Sequence, residues 1–315
     1  MIYVVDHVLQ TVEPKAIVEA TRSGRLVIGY LTLNQFLPIA GELGIGQSTI
    51  ELLHKPTVHF RSSNYVSDRY ILGNFQLVDV KHIMDSTGKI AVLLAATCCL
   101  VISVGEANPF VEHVFETALK RCKVEDLAIE KVLYLFFDCL LMDDNVALED
   151  IEFEFDLLED RIVAKKVEED FYKILIAKKR ELFVLHNYYE QFIEFADMLE
   201  ENEFGAFKDK DRKYLKMMDN KFDRLKQNTL MLRENLVQLR EAYQAYLDYS
   251  LNNIMKLFTV VTTVFLPLTL IVGWYGMNFT TMPELTWKYG YLYVILLAVI
   301  VILLCIWLFK KKKLM

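Results

Sequence analysis

The sequence predicts an α/β domain, then a region of helices, one very long stalk helix and two transmembrane helices at the C-terminus. The distribution of chain breakers supports this order. Eight of the 12 glycines and four of the six prolines lie in residues 1–109, whereas 110–204 and 206–266 contain neither. Gly and Pro interrupt regular structure, so their absence predicts long helices. Two charge-free runs, 257–283 and 289–309, complete the pattern.

The composition separates an acidic body from an apolar tail. The 315 residues are 54% hydrophobic and 24% charged, with a net charge of −7. Only six lysines and one glutamate follow Ser250, so residues 1–250 carry 29 basic and 41 acidic side chains, a net charge of −12. An acidic body argues against nucleic acid as a partner and favours cations.

The first domain, residues 1–109, is predicted to be α/β with a mostly buried sheet. Its strand candidates are rich in β-branched and aromatic residues and are bounded by Gly, Asp, Ser or Pro. They are residues 2–12, 25–31, 56–62, 68–78 and 89–104. Short helices are predicted near 33–43 and 49–54.

The second region, residues 110–204, is predicted to be helical. Asn108 and Pro109 are a favourable N-cap and first-turn residue. The helices are expected at 108–121, 124–142, 145–167 and 169–203. The densest run of acidic residues in the chain, from Asp143 to Asp160, falls in the third helix, where a solvated face is the ordinary interpretation.

A stalk helix is predicted from residue 205 to residue 256, continuous with the first span. A heptad seam on it is nearly all apolar, so we expect it to pack against other copies or against the chain's own domain. The seam contains Leu215, Met218, Phe222, Leu225, Thr229, Leu232, Leu236, Leu239, Tyr243, Tyr246 and Ser250.

A second stripe with the same spacing is nearly all polar and continues into the apolar run. It comprises Asn220, Arg224, Gln227, Met231, Glu234, Gln238, Glu241, Ala245, Asp248 and Asn252, then Met255, Thr259, Thr262, Leu266, Thr269 and Gly273. At ~100° per residue, the part beyond Asn252 falls within an arc of roughly 100°. The stripe is typical of a pore lining shared by several copies, although a solvated face below and helix–helix contact within the membrane are alternatives.

The tail predicts two membrane spans, 257–279 and 289–309, joined by an external loop, 280–288. Lys256 precedes the first span and a basic tail, 310–315, follows the second. The positive-inside rule then places both termini in the cytoplasm and makes the chain a multi-pass protein of the cell (inner) membrane. Two helices per chain cannot enclose a path, so conduction requires a symmetric ring of copies. Neighbouring helices are expected to satisfy the carbonyl that Pro267 leaves free.

The end of the first span carries a family motif, Tyr275-Gly276-Met277-Asn278-Phe279, followed by Met282-Pro283-Glu284-Leu285. This pattern resembles the CorA family of divalent-cation channels, also called the two-transmembrane Gly-Met-Asn family. The resemblance is specific from about residue 205 onward. Leu266 stands where some members carry Met.

The resemblance implies a homopentameric, funnel-shaped channel for Mg²⁺ influx down its electrochemical gradient, with Co²⁺ and Ni²⁺ as further ions. It implies a selectivity filter at Tyr275, Gly276, Met277 and Asn278, with the Asn278 amides forming the outer ring. It also implies an inner constriction at Asn252 and Met255, a contribution of Phe258 to an apolar gate, a narrow ring at Leu266 and hydroxyls at Thr269. Glu241, Asp248 and Glu284 would attract cations. Cytosolic Mg²⁺ would close the channel as a regulatory ligand, at positions the resemblance leaves open.

Three other functions are alternatives to the channel. An enzyme is disfavoured because the chain has no H-E-x-x-H, no P-loop and no complete dinucleotide fingerprint. A Zn²⁺-transporting relative of the same fold remains an alternative, although Met277 resembles the Mg²⁺ branch. A non-conducting membrane-tethered scaffold or sensor is the third.

Overall fold

The computed structural model describes residues 1–6, 8–54, 64–84, 86–201, 207, 211–278, 282 and 287–311. Two compact units divide the chain, Met1–Leu239 and Arg240–Met315. The strand predicted at 56–62 lies outside the described residues. The structure confirms a mixed α/β domain at the N-terminus, a 64-residue helix and apolar helices at the C-terminus.

The first unit opens with a mixed α/β arrangement. Its elements are β1 (Ile2–Asp6), β2 (Val8–Thr11), α1 (Ala16–Arg22), β3 (Leu26–Thr32), α2 (Leu33–Ala40), α3 (Gln47–His54), β4 (Tyr65–Val66), β5 (Tyr70–Val78), β6 (Ser86–Ala95) and β7 (Cys98–Val104). The described strands form one sheet in the order β2-β1-β3-β7-β6-β5-β4. Strands β3 and β7 are parallel and the other neighbouring pairs are antiparallel.

Alternate residues of the central strands pack on opposite faces of the sheet, as the two-residue period of a strand requires. On one face, Leu72 of β5 and Leu100 of β7 join a buried apolar cluster with α1 and α2. On the other, the ring of Phe75 stacks on Phe192, with centroids 5.2 Å apart. Both faces are therefore covered, which explains why β3, β5 and β7 read as nearly continuous apolar runs.

A group of helices follows the sheet. They are α4 (Pro109–Lys120), α5 (Ile129–Leu140), α6 (Asp144–Val163), α7 (Phe171–Glu201) and α8 (Arg212–Tyr275), with a short 3-10 helix at Val124–Asp126. The predicted start of α4 is confirmed: the Asn108 side chain accepts hydrogen bonds from the backbone N–H groups of Phe110 and Val111, at 3.1 and 3.3 Å.

The heptad seam of α8 is buried within its own chain from its first position through Leu239. The contacts of Phe222 identify the helices on which the seam packs. Its ring lies edge to face on Phe137 of α5, with centroids 5.4 Å apart, and its centroid is 5.3 Å from that of Phe192 on α7. The described contacts thus resolve one open alternative, because this part of the seam packs on the chain's own helices.

The second unit contains the rest of α8 and the last helix, α9 (Gly290–Lys311). The apolar part of α8 and the whole of α9 are long and apolar enough to cross a membrane. Of the seam positions in this unit, Tyr243, Tyr246 and Ser250 are half-buried rather than buried.

Candidate ion-conducting surface

The polar stripe of α8 is exposed along its full length. Every position from Asn220 to Gly273 that the heptad spacing selects is exposed, including the long apolar side chains of Met255 and Leu266, at 62% and 70%. Glu241 and Asp248 lie on it, and Asp248 accepts a hydrogen bond of 3.3 Å from Gln244. The stripe is therefore free to line a space shared with other molecules.

A different face of the same helix is half-buried. Beyond Asn252 the half-buried positions of α8 recur with helical spacing, and they are Val260, Val264, Pro267, Leu268, Ile271 and Tyr275. The least exposed face of α9 includes the buried residues Cys305 and Phe309. Since α9 is the other helix described in this unit, this face of α8 is the one turned toward it.

The two faces of α8 are nearly opposite. Successive residues of a helix are rotated by ~100° about its axis. The stripe from Met255 to Gly273 is therefore centred roughly 180° away from the half-buried face from Val260 to Tyr275. The stripe thus points away from α9. Phe258, 58% exposed, flanks the stripe.

The threonine hydroxyls of the stripe are bound to their own helix. Thr259 donates to the Met255 carbonyl at 2.8 Å, Thr262 to the Phe258 carbonyl at 2.9 Å, and Thr269 to the Phe265 carbonyl at 2.9 Å. A hydroxyl has one hydrogen to donate and two lone pairs that accept. With the hydrogen committed to the backbone, the exposed oxygen acts as an acceptor, which suits the outward-pointing hydrogens of the water around a cation.

The exit from α8 is a tight turn that requires glycine. The Gly276 N–H donates to the Val272 carbonyl at 2.8 Å, and the Met277 N–H reaches the Trp274 carbonyl at 3.4 Å. A Cβ at Gly276 would lie 2.9 Å from the Val272 oxygen. The turn leaves Met277 and Asn278 exposed directly after the helix. Glu284 lies outside the described residues.

An acidic group between α7 and α8 is not apparent from the sequence. The pKa of Asp219 is raised by partial burial and then by the nearby carboxylates of Asp223, Glu200 and Asp197. Among the described residues, no three His, Cys, Asp or Glu side chains of one protomer come close enough to hold a metal ion. These acids lie on two helices, so no pattern within either helix could reveal their proximity.

The acidic run of α6 divides into two kinds of residue. Eight of its acids are exposed, as a solvated face predicts; they are Asp143, Glu149, Asp150, Glu152, Glu154, Asp156, Glu159 and Asp160. The exception is Asp144, which is 3% exposed and accepts a hydrogen bond from Tyr189. Its sequence position carried a signal, because Asp144 falls on the apolar stripe of α6 with Leu148 and Ile151.

Asp144 also lines a cavity of about 460 Å³ between the sheet and the helices. Val78, Val114 and Leu140 are among its apolar lining residues, and His113 and Arg121 are among its polar ones. Arg121 is engaged by Asp138 at 3.4 Å. The cavity lies in the first unit, and its lining residues are not on the polar stripe.

Comparison with known proteins gives a consistent result. The family model described as "CorA-like Mg2+ transporter protein" matches residues 32–311. The chain is 27% identical to the cobalt/magnesium transport protein CorA of Thermotoga maritima over 279 residues, which cover 85% of this chain and 75% of the relative. A shorter stretch of 91 residues, 29% of each chain, is 40% identical to the magnesium transport protein CorA of Helicobacter pylori.

Solved structures agree on the fold. The complete structure of the CorA magnesium transporter from Methanocaldococcus jannaschii superposes with a TM-score of 0.73 at 18% identity, covering 91% of this chain and 90% of that one. The full-length CmaX protein gives a TM-score of 0.66 at 18% identity, over 92% and 89% of the two chains. With two helices fit to span a bilayer, the chain is a membrane protein and a transporter rather than an enzyme, and it belongs to the CorA-like Mg²⁺ transporter family.

Proposed function

We propose that this chain is the subunit of a homopentameric channel through which Mg²⁺ enters the cell down its electrochemical gradient. The observation that carries the proposal is the orientation of the α8 stripe, which is exposed and points away from α9. In a ring of copies this arrangement lets α8 surround a central path while α9 faces lipid. Co²⁺ and Ni²⁺ are further candidate ions.

The proposed path begins at Asn278. Its amide is exposed immediately beyond the turn that Gly276 makes possible. A ring of neutral amide oxygens can accept hydrogen bonds from the water around Mg²⁺ without stripping it, which matters because Mg²⁺ dehydrates reluctantly. A carboxylate ring would bind the ion more strongly and hinder its exit. Tyr275 and Met277 complete this filter.

The path then follows the stripe inward. Gly273, Thr269, Leu266, Thr262 and Thr259 line the membrane portion, where hydroxyl acceptors alternate with the narrow ring at Leu266. Met255 and Asn252 form the inner constriction beside Phe258, and an apolar constriction of this kind can close by dewetting.

The charges of the stripe and the membrane potential act in the same direction. Glu241 and Asp248 are exposed on the cytoplasmic part of α8, where they concentrate cations, and Glu284 does so at the outer mouth. A divalent ion that crosses about 100 mV gains ~4.6 kcal/mol, so influx needs no ATP. The proposed topology places both termini and the first unit in the cytoplasm, consistent with Lys256, Lys310 and Lys311 at the inner ends of the spans.

We propose that cytosolic Mg²⁺ is also a regulatory ligand that closes the channel. Closure would follow from the ion holding adjacent subunits in one arrangement.

The test uses adjacent asparagines as matched variants. Full-length protein is reconstituted in liposomes that contain a Mg²⁺-sensitive dye, and subunits are counted by cross-linking. We expect Asn278→Ala to abolish influx without changing the oligomer, and Asn252→Ala to alter influx. Asn253→Ala, on the other side of the helix, should leave influx within about twofold of wild type. Unchanged influx in Asn278→Ala would favour a scaffold, and preferential uptake of Zn²⁺ in competition would favour the zinc-transporting alternative.

A further inference from the structure

Pro267 creates a local defect in α8. The helix continues through it from Arg212 to Tyr275. Proline has no N–H, so the carbonyl four residues earlier, that of Thr263, loses its helical donor. In the hydrocarbon region of a bilayer water cannot replace that donor, and an unsatisfied carbonyl costs several kcal/mol.

The described structure supplies a donor from the other helix. The Sγ atom of Cys305 on α9 lies 3.9 Å from the Thr263 carbonyl oxygen. Cys305 is 8% exposed, although most of α9 is exposed. A thiol is a weak donor in water, but here it meets the one α8 carbonyl that proline deprives of its partner.

The position of this contact links it to the ion path. Thr263 follows Thr262, and Pro267 follows Leu266, so both ends of the defect adjoin residues of the stripe. The Thr263 hydroxyl is bound elsewhere, to the Thr259 carbonyl at 2.7 Å. A tether at the Thr263 carbonyl therefore restrains the rotation of α8 about its own axis, which determines where the stripe points.

We propose that Cys305 is a positioning residue for transport: its thiol satisfies the Thr263 carbonyl that Pro267 frees and thereby ties α9 to α8 at the middle of the span. The part of this proposal that concerns ion flux rests on the proposed function. The hydrogen bond itself does not depend on the proposed function, so a separate measurement tests it. A thiol that merely fills space between two helices would behave differently in each measurement below.

The first experiment is a double-mutant cycle in the full-length protein. Cys305→Ala removes the donor, Cys305→Ser keeps one, and Pro267→Ala restores an N–H to the Thr263 carbonyl. We expect Cys305→Ala to lower both Mg²⁺ influx, by about fivefold, and the melting temperature in detergent. Cys305→Ser should stay within about twofold of wild type, and Cys305→Ala should have little effect when Pro267→Ala is already present.

Two outcomes of this cycle would overturn the proposal. Equal losses in Cys305→Ala and Cys305→Ser would mean that packing, not donation, matters. An equal cost of Cys305→Ala with and without Pro267 would mean that the thiol does not serve the freed carbonyl. Val301→Ala, which trims another half-buried residue of α9, is the control for packing loss alone.

A spectroscopic measurement keeps the proposal testable if Pro267→Ala fails to assemble. The infrared S–H stretching band of Cys305 is isolated as the difference between wild type and Cys305→Ala. A hydrogen-bonded thiol gives a band shifted to lower frequency than a free thiol, and a band at the free position would refute the tether. Failure of transport in wild type with a shifted band would refute the proposed function alone.

Discussion

The hydroxyl of Tyr189 on α7 donates a hydrogen bond of 3.0 Å to Oδ2 of Asp144, the first residue of α6. Burial raises the pKa of Asp144 from its usual value to about 7, against the opposing effects of this hydrogen bond and of Lys221, and Asp143 adds to the rise. Asp143, the preceding residue in the sequence, is exposed. The pair thus places a proton-binding group in the buried part of the contact between two helices.

This group makes stability depend on pH in a defined direction. The folded protein keeps Asp144 protonated up to pH of about 7, whereas the unfolded chain ionises it near its ordinary pKa. Its contribution to stability is full below the unfolded pKa and is lost as the pH rises through the folded value. We expect Asp144→Asn to raise the melting temperature relative to wild type at pH 7.5 and less so at pH 5. A constant difference would contradict the assignment.

Phe222 anchors α8 on its own chain through the rings of Phe137 and Phe192. The side chain is fully buried, so Phe222→Ala leaves a cavity and should destabilise the first unit by about 3–5 kcal/mol in denaturant unfolding. Met231→Ala, on the exposed face of the same helix, should change stability by less than about 0.5 kcal/mol. Equal effects would mean that the seam is not packed as described.

Gly276 permits the turn that precedes Asn278. A Cβ there would approach the Val272 oxygen to 2.9 Å, so the backbone must shift. We expect Gly276→Ala to reduce Mg²⁺ influx about tenfold, as strain of 1–3 kcal/mol displaces the amide ring. Val272→Ala keeps the carbonyl and serves as the control. Normal influx in Gly276→Ala would show that the filter tolerates a wider turn.

Thr262 presents an acceptor to the proposed path because its hydroxyl hydrogen is bound to Phe258. Thr262→Val removes the oxygen at nearly constant volume and should lower influx, whereas Thr262→Ser should restore it to within about twofold. The comparison is made in liposomes at equal protein density. Full activity of the valine variant would exclude a contribution of this oxygen.

Glu241 and Asp248 act at a distance, so their effect should depend on salt. The double variant Glu241→Gln, Asp248→Asn should lower the single-channel conductance in planar bilayers at low ionic strength. The difference should shrink at high salt, because the Debye length falls from about 30 Å at 0.01 M to about 3 Å at 1 M. A loss that is independent of salt would indicate a structural role.

Much of the fold could be predicted because it depends on local signals. The absence of Gly and Pro located α4 to α7, the charge-free runs located the membrane part of α8 and α9, and the heptad seam identified the residues that α8 buries. The partners of that seam could not be predicted, since an apolar stripe does not specify what covers it. Strand order was also hidden: the parallel pairing of β3 with β7 joins residues about 70 positions apart, and no local pattern encodes it.

The candidate site could likewise be predicted only in part. The stripe from Asn252 to Gly273 was visible as helical spacing, and the structure adds its orientation relative to α9. A donor from a neighbouring helix was expected for the carbonyl that Pro267 frees. The sequence could not identify the donor residue, because Cys305 is only one of many residues in the second apolar run. The acids near Asp219 became neighbours only through the packing of α7 on α8.

The two adjacent thiols of β7 have a practical consequence for labelling. Cys98 and Cys99 are buried, and burial raises the pKa of Cys98 to about 12 and that of Cys99 further. Thiolate, the species that maleimides attack, is almost absent there at neutral pH. Accessibility scanning with single cysteines introduced along α8 can therefore begin without replacing this pair, and the reagent's access from either side of the bilayer would map the conduction route residue by residue.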